Sequence, residues 1–331
     1  MIIAVDAAGG EYAPHEIVKG AIKAIEEYKV DIVLVGRKTI LQMLAKRHLK
    51  KPGLSIIEAS QIIGSRESPM RAIRSKPDSS IAIGINLVKK GIASAFVSAG
   101  NTGAIMGTAL LNLGKLEGVE RSAIGSFINI TSSAPTLLID AGANVDCRPE
   151  YLVWFAHLGS VYVREIHGII SPRVGLLNNG EEESKGNHLV QESHQLLKKA
   201  HLNFIGNIEG QDIFNEVADV IVTDGYTGNI VLKTIEGMTA DWLYSLRQAG
   251  QIFSKAYRLP ARALHRDIGM DSWVKRLDYR EYGGACLLGV KGNVIIAHGR
   301  SQARAIKNAI GLAKKTAERG ISQVIKEESN D

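Results

Sequence analysis

Short apolar runs alternate along this chain with segments whose apolar residues recur three and four positions apart, the spacing of one helix face. Ile2 to Val5 reads as a strand, and Ile17, Val18, Ala21, Ala24 and Ile25 form a helical stripe within 14 to 28. DIVLVG at 31 to 36 is a second strand, 39 to 48 a second helix and LSIIEAS at 54 to 60 a third strand. A helix over 81 to 90, a strand over 95 to 98 and a helix from about 104 to 113 continue the order. APTLLIDAGANVDCRPE at 134 to 150 repeats it, leading into a helix with Trp154, Phe155 and Leu158. Strands then open RVGLLNNGEEESKGN (173 to 187), FIGNIEGQDI (204 to 213) and DVIVTDGYTGNIVLKTIEG (219 to 237), the last running into an apolar helix with Lys233. Such alternation predicts an α/β fold with a parallel-rich sheet flanked by helices. No composition break or low-complexity tract divides the chain, so 1 to 331 is expected to be a single α/β catalytic unit.

Five apparent strand ends carry Gly with Asn, Asp, Ser or Thr: at 6 to 10, 98 to 103, 140 to 144, 178 to 187 and 224 to 229. Singly, each is a tight turn with an Asn or Thr helix cap. In an open parallel sheet, however, all carboxyl ends share one edge, where ligands bind. The five loops are therefore expected to converge on one pocket. Backbone N–H groups at helix starts and glycines that admit close approach suit an anion there. Lys185 is the expected cation, and phosphate held without metal the expected ligand. The segment 64 to 80, GSRESPMRAIRSKPDSS, interrupts the alternation with Arg66, Arg71, Arg74 and Lys76, and reads as a functional loop.

Composition narrows the class. Hydrophobic residues are 45% and aromatics only 5%, which suits parallel strands buried on both faces by Ala, Val, Ile and Leu. A formal charge of +6 suggests a phosphorylated ligand, an acidic partner or an anionic membrane. Cys147 and Cys286, the two cysteines, have neither disulfide-framework nor metal spacing, as in a reducing cytoplasm. MIIAVDAAGG is strand-like rather than a signal peptide, and no apolar run approaches the ~18 residues of a spanning helix. A soluble or peripheral protein is expected.

Familiar chemistry is missing. There is no Walker loop, no GxGxxG after the first strand, no HExxH or His pair at metal spacing, and no GxSxG elbow. Without an evident nucleophile of the protein's own, the phosphate itself is expected to attack.

Asp6-Ala7-Ala8-Gly9-Gly10, Ser98-Ala99-Gly100-Asn101-Thr102-Gly103-Ala104, Asp140-Ala141-Gly142-Ala143-Asn144, Lys185-Gly186-Asn187 and Asp224-Gly225-Tyr226-Thr227-Gly228-Asn229 resemble the bacterial PlsX-type phosphate acyltransferases. The likeness runs from residue 2 to about 313, with GGACLLGVKGNVIIAHGRS near its end. Ala8, Glu11, Ser122 and Cys286 depart from the usual Met, Asp, Pro and Pro of that family, and none is a polar pocket residue.

The resemblance implies acyl transfer from acyl-acyl carrier protein to inorganic phosphate, giving acyl phosphate for phospholipid synthesis. It implies an isocitrate/isopropylmalate dehydrogenase-like fold, a homodimer, no cofactor or metal, and peripheral association with the inner face of the membrane beside a downstream glycerol-3-phosphate acyltransferase. Lys185, Asn229 and Asp224 become the expected catalytic residues. Asp6, Gly9, Gly10, Ser98, Gly100, Asn101, Thr102, Gly103, Asp140, Asn144, Asn187, Thr227 and Gly228 become the expected phosphate and substrate cradle. Alternatives are a phosphotransacylase using acyl-coenzyme A and an inactive scaffold that gathers carrier protein at the membrane.

The stretch 242 to 266, WLYSLRQAGQIFSKAYRLPARALHR, contains no acid but carries Arg247, Lys255, Arg258, Arg262 and Arg266 among bulky apolar residues. Pro260 makes it a bent or paired helical excursion within 238 to 280. A dimer partner, an anionic membrane surface or the acidic carrier protein is its expected contact. No nucleic-acid module accompanies it, so a nucleic-acid partner is not expected.

Overall fold

The computed structural model describes residues 1–50, 52–128, 135–257 and 283–328. Strand β1 (Ile2–Asp6) is followed by α1 (His15–Tyr28), β2 (Asp31–Gly36), α2 (Lys38–Ala45) and β3 (Leu54–Glu58), so the first alternation is as expected. Next come α3 (Pro69–Ser75), α4 (Ser80–Lys89), β4 (Ala95–Ser98) and α5 (Thr102–Asn112). The 64 to 80 segment is thus not all loop, because α3 occupies its middle with Pro69 in the first turn.

Two strands, β5 (Ala123–Ile128) and β6 (Thr136–Ile139), precede α6 (Pro149–His167), β7 (Val174–Leu177), α7 (His188–Leu197), β8 (Phe204–Ile208) and β9 (Val220–Val222). Helix α8 (Gly225–Tyr257) then runs without a break through 238, so the first part of the expected excursion continues this helix. Arg247 and Lys255 stand on α8, whereas Arg258, Arg262 and Arg266 lie outside the described residues. Strands β10 (Ala285–Leu288) and β11 (Asn293–Ile296) and helices α9 (Ala303–Glu318) and α10 (Ile321–Glu328) complete the described residues.

Among the described residues, eleven strands form one sheet in the order β3-β2-β1-β4-β11-β10-β5-β6-β9-β7-β8. Neighbours from β3 to β11 are parallel, and so are those from β6 to β8. Between the two blocks, β11 with β10, β10 with β5 and β5 with β6 are antiparallel. Three reversals leave the blocks pointing in opposite directions. The carboxyl ends of β1 and β4 consequently leave the opposite sheet edge from those of β6, β7 and β9. One shared edge for all five glycine loops, expected from a parallel sheet, is therefore incorrect.

Alternation within each strand builds two cores. In β1 and β4, Ile3, Val5, Ala95 and Val97 join the face covered by α1, α6 and α9, whereas Ala4 and Phe96 face α4 and α5. In β6 and β9, Leu137, Ile139, Val220 and Val222 face the first core, and Leu138 and Ile221 the other side. Both faces of these strands are apolar because helices cover both.

Candidate functional site

The turn after β4 is held by buried polar groups. Asp6, buried at the end of β1, accepts from Ala8 N (2.9 Å), Gly9 N (3.0 Å) and Ser98 Oγ (2.6 Å). Ser98 Oγ in turn accepts from Gly100 N at 3.0 Å. Burial pushes the Asp6 carboxyl up, against the pull of Ser80, Ser98 and the two amides. Asn101 is the N-cap of α5, with its side-chain oxygen accepting from Ala104 N at 3.0 Å. Its amide nitrogen donates to the carbonyls of Gly64, Ser65 and Glu67 at 3.0–3.3 Å. Both ends of the Asn101 side chain are thus engaged by the protein, so the side chain positions the start of α5. Thr102 and Gly103 form the first turn behind it.

A second polar knot ties β6 to β9. Asp140, fully buried, accepts from Ile124 N, Gly142 N and Ala143 N at Oδ1, and from Asn144 N (2.7 Å) and Asn144 Nδ2 (2.8 Å) at Oδ2. Burial raises its pKa, and this ring of N–H donors acts in the opposite sense. Asn144 passes its other amide hydrogen to Ser122 O at 2.9 Å, and its carbonyl accepts from Gly225 N at 2.7 Å. Asp224 opens α8 by accepting from Thr227 N (2.9 Å) and Thr227 Oγ1 (2.7 Å). Only glycine fits at 228, since a Cβ there would overlap the Asp140 carbonyl oxygen. Asp140, Asn144, Asp224, Thr227 and Gly228 therefore build the turn that aims α8.

A cleft of about 430 Å³ lies over the middle of the sheet, where strand direction reverses. Thr102, Gly103 and Met106 of α5 form one wall, and Asn229, Leu232, Lys233 and Glu236 of α8 another. Ser126, Phe127 and Ile128 of β5 contribute to the lining, with Ala141 to Ala143 after β6 and Ala297 to Gly299 after β11. Loops from opposite edges meet here across a sheet face. Of the expected residues, Thr102, Gly103 and Asn229 line the cleft. Gly9 and Gly10 stand behind it, Gly10 packing on Ala99 and on the Gly299 carbonyl, and Gly9 on Gly100.

Lys185 and Asn187 do not line it. Lys185 is exposed on the loop after β7, and Asn187 caps α7 by accepting from Val190 N at 3.0 Å. Among the described residues, the lysine in the lining is Lys233. Its Nζ is 2.7 Å from Glu236 Oε2, which is also 3.1 Å from His298 Nε2. His298 Nδ1 accepts from Arg300 N at 3.1 Å, so in the neutral ring the proton sits on Nε2 and is donated to Glu236. Burial opposes ionisation of Glu236, but the His298 and Lys233 hydrogen bonds outweigh it and hold the carboxyl below its ordinary value. Sequence reasoning missed Glu236 and His298. The signal available was the sixth strand end with glycine, Ala297-His298-Gly299, inside GGACLLGVKGNVIIAHGRS.

The arrangement can hold an anion between the start of α5 and the Lys233 ammonium. Among the described residues it offers no cysteine nucleophile. Burial pushes the Cys147 thiol up to about 11 and the Cys286 thiol up to about 12, and neither lines the cleft.

Residues 1–324 match the family model described as fatty acid synthesis protein. A phosphate acyltransferase from Dehalococcoides mccartyi is 56% identical over 328 residues, covering 99% of this chain and 94% of that one. Another from Dictyoglomus turgidum is 46% identical and covers 100% and 98% respectively. The chain belongs to the PlsX-type phosphate acyltransferase family. The fold is also that of more distant solved proteins. A phosphotransacetylase from Streptococcus pyogenes superposes with a TM-score of 0.63 at 17% identity, covering 96% of this chain and 94% of its own. A 4-hydroxythreonine-4-phosphate dehydrogenase from Klebsiella pneumoniae reaches 0.56 at 13% identity, covering 96% and 99%. Those two superpositions show that this chain shares their α/β fold.

Proposed function

We infer that this phosphate acyltransferase takes its acyl group from acyl-acyl carrier protein and delivers it to inorganic phosphate. The observation that carries the reading is the cleft wall itself: a helix start and Lys233 face one cavity within a chain that matches phosphate acyltransferases along nearly its whole length. In the proposed step an oxygen of hydrogen phosphate attacks the thioester carbonyl carbon. The C–O bond forms, the C–S bond breaks, and the phosphate proton passes to the departing thiolate. Acyl phosphate and free carrier thiol result, with no acyl-enzyme. Lys233 and the first turn of α5 balance the phosphate charge, and Asn229 supplies an amide donor beside it. Glu236 and His298 keep the ammonium in place.

The reading extends to the setting. The protein works as a homodimer on the cytoplasmic face of the membrane, passing acyl phosphate to a glycerol-3-phosphate acyltransferase, with the 238 to 280 segment as its dimer or membrane contact. The acid-free run of five basic residues supports this. Purified protein incubated with phosphate and either a carrier-linked or a coenzyme A-linked acyl donor tests it. Phosphate-dependent acyl phosphate, formed preferentially from the carrier donor, is expected. Preference for coenzyme A would make it a phosphotransacylase of the other donor class, and no product from either donor would overturn the reading.

A further inference from the structure

The arginines of the 64 to 80 segment have no part in the site described above. Arg66, Arg71 and Arg74 are exposed, and none makes an ion pair or side-chain hydrogen bond among the described residues. One of the acids nearby, Glu67, is already engaged: Lys76 Nζ lies 2.7 Å from its Oε1 and also donates to Ile62 O at 2.7 Å. Glu67 Oε1 accepts from Gly64 N at 2.7 Å as well. Three hydrogen bonds from Asn101 clamp the same turn. The segment therefore carries a surplus of positive charge on a backbone held in a fixed shape, with Met70 half exposed among the arginines.

Its position matters as much as its charge. Pro69 and Ile73 of α3 pack directly against Gly103 and Gly107 of α5, where a Cβ on either glycine would come within 2.6 Å of them. Gly103 and its neighbour Met106 line the cleft. The arginine helix is thus the outer layer of one cleft wall.

We propose that Arg66, Arg71 and Arg74 dock the acidic surface of the acyl donor protein, so that its thioester arm enters the cleft along α5. This rests on the carrier-dependent reading and names the surface it uses. Free inorganic phosphate needs no docking helix outside the cleft. A membrane is disfavoured here because Met70 alone among the large apolar side chains of the 64 to 80 segment is exposed. Rim charges of this kind set encounter rate and salt dependence more than the chemical step.

The test compares wild type with the Arg66→Glu/Arg71→Glu/Arg74→Glu variant and with a milder Arg71→Gln/Arg74→Gln variant. Substrates are acyl-acyl carrier protein and an uncharged acyl-pantetheine thioester. In the triple variant KM for the carrier donor should rise roughly tenfold or more, while kcat and the rate with acyl-pantetheine stay at wild-type values. The double variant should fall between. Wild-type KM should increase with salt, and the triple variant should lose that dependence. Unchanged carrier KM in the triple variant, or equal loss with acyl-pantetheine, would overturn the docking surface. Loss of anionic-vesicle binding with intact carrier kinetics would overturn it in favour of a membrane contact. Failure of wild type itself to use the carrier donor would instead remove the functional reading on which the proposal rests.

Discussion

Replacing Asp140 by Asn tests whether the cleft depends on the buried knot behind it. The substitution keeps the shape of the side chain but turns one acceptor oxygen into an NH2 group. Around Asp140 every partner is a donor: three backbone amides at Oδ1, and Asn144 N and Nδ2 at Oδ2. If the new carbonyl takes the Oδ1 position, the NH2 faces both donors of Asn144. A rotation of the Asn144 amide relieves one of these contacts only by giving up Ser122 O. Two hydrogen bonds to a charged acceptor are lost, at roughly 1.5–3 kcal/mol each, so a cost of about 3–6 kcal/mol follows. Domains are stable by only about 5–15 kcal/mol, so the loss is large. Urea unfolding followed by circular dichroism reads it directly, and phosphate KM reads the displacement of Ala141 to Ala143 in the lining. A loss below about 1 kcal/mol with unchanged phosphate KM would refute the knot as the support of this wall.

In the cleft, Lys233→Ala and Asn229→Leu should each lower kcat about 100-fold, the scale of one lost charge-stabilising donor, while Lys185→Ala stays near wild type. The reverse order in steady-state assays would return the cationic role to Lys185. Alkylation by iodoacetamide at pH 8 should be on the order of a hundredfold slower in the native protein than in urea, since raised thiol pKa values leave little thiolate, and it should accelerate as pH rises. The Cys147→Ser/Cys286→Ser variant should keep acyl transfer, also after chelator treatment, and mass spectrometry should find no acyl-cysteine. Glu236, with its folded pKa lowered, should add stability above its unfolded value of about 4.3 and lose it as pH falls through the folded value. The urea midpoint of Glu236→Gln should therefore trail wild type at neutral pH, and the gap should close in acid. A pH-independent gap would deny the ion pair its part.

Much of the fold was legible because helices and caps depend on neighbours three and four residues away. The stripe of Ile17, Val18, Ala21 and Ala24, the strand DIVLVG and the Asn101 cap are of this local kind. The glycine and asparagine turns marked both the α5 start and the β6–α8 knot. β5 was not recognised, because AIGSFI is a short, wholly buried run without alternation, equally readable as a helix fragment. The hairpin of β10 and β11 lies in GGACLLGVKGNVIIAHGRS, whose two apolar runs of four residues are as short and unalternating as β5.

Sequence by itself determined where the chain turns and which residues face a core, since side-chain period is a local property. Strand direction was decided by tertiary structure alone. β10 and β11, from near residue 290, insert between β4 and β5 and leave β5 running with β4, and the antiparallel pairing of β6 on β5 then turns the second block of the sheet over. The insertion brings His298 beside Glu236 of α8, while Lys185, on the loop after β7, does not line the cleft, and no spacing within either segment encodes these placements.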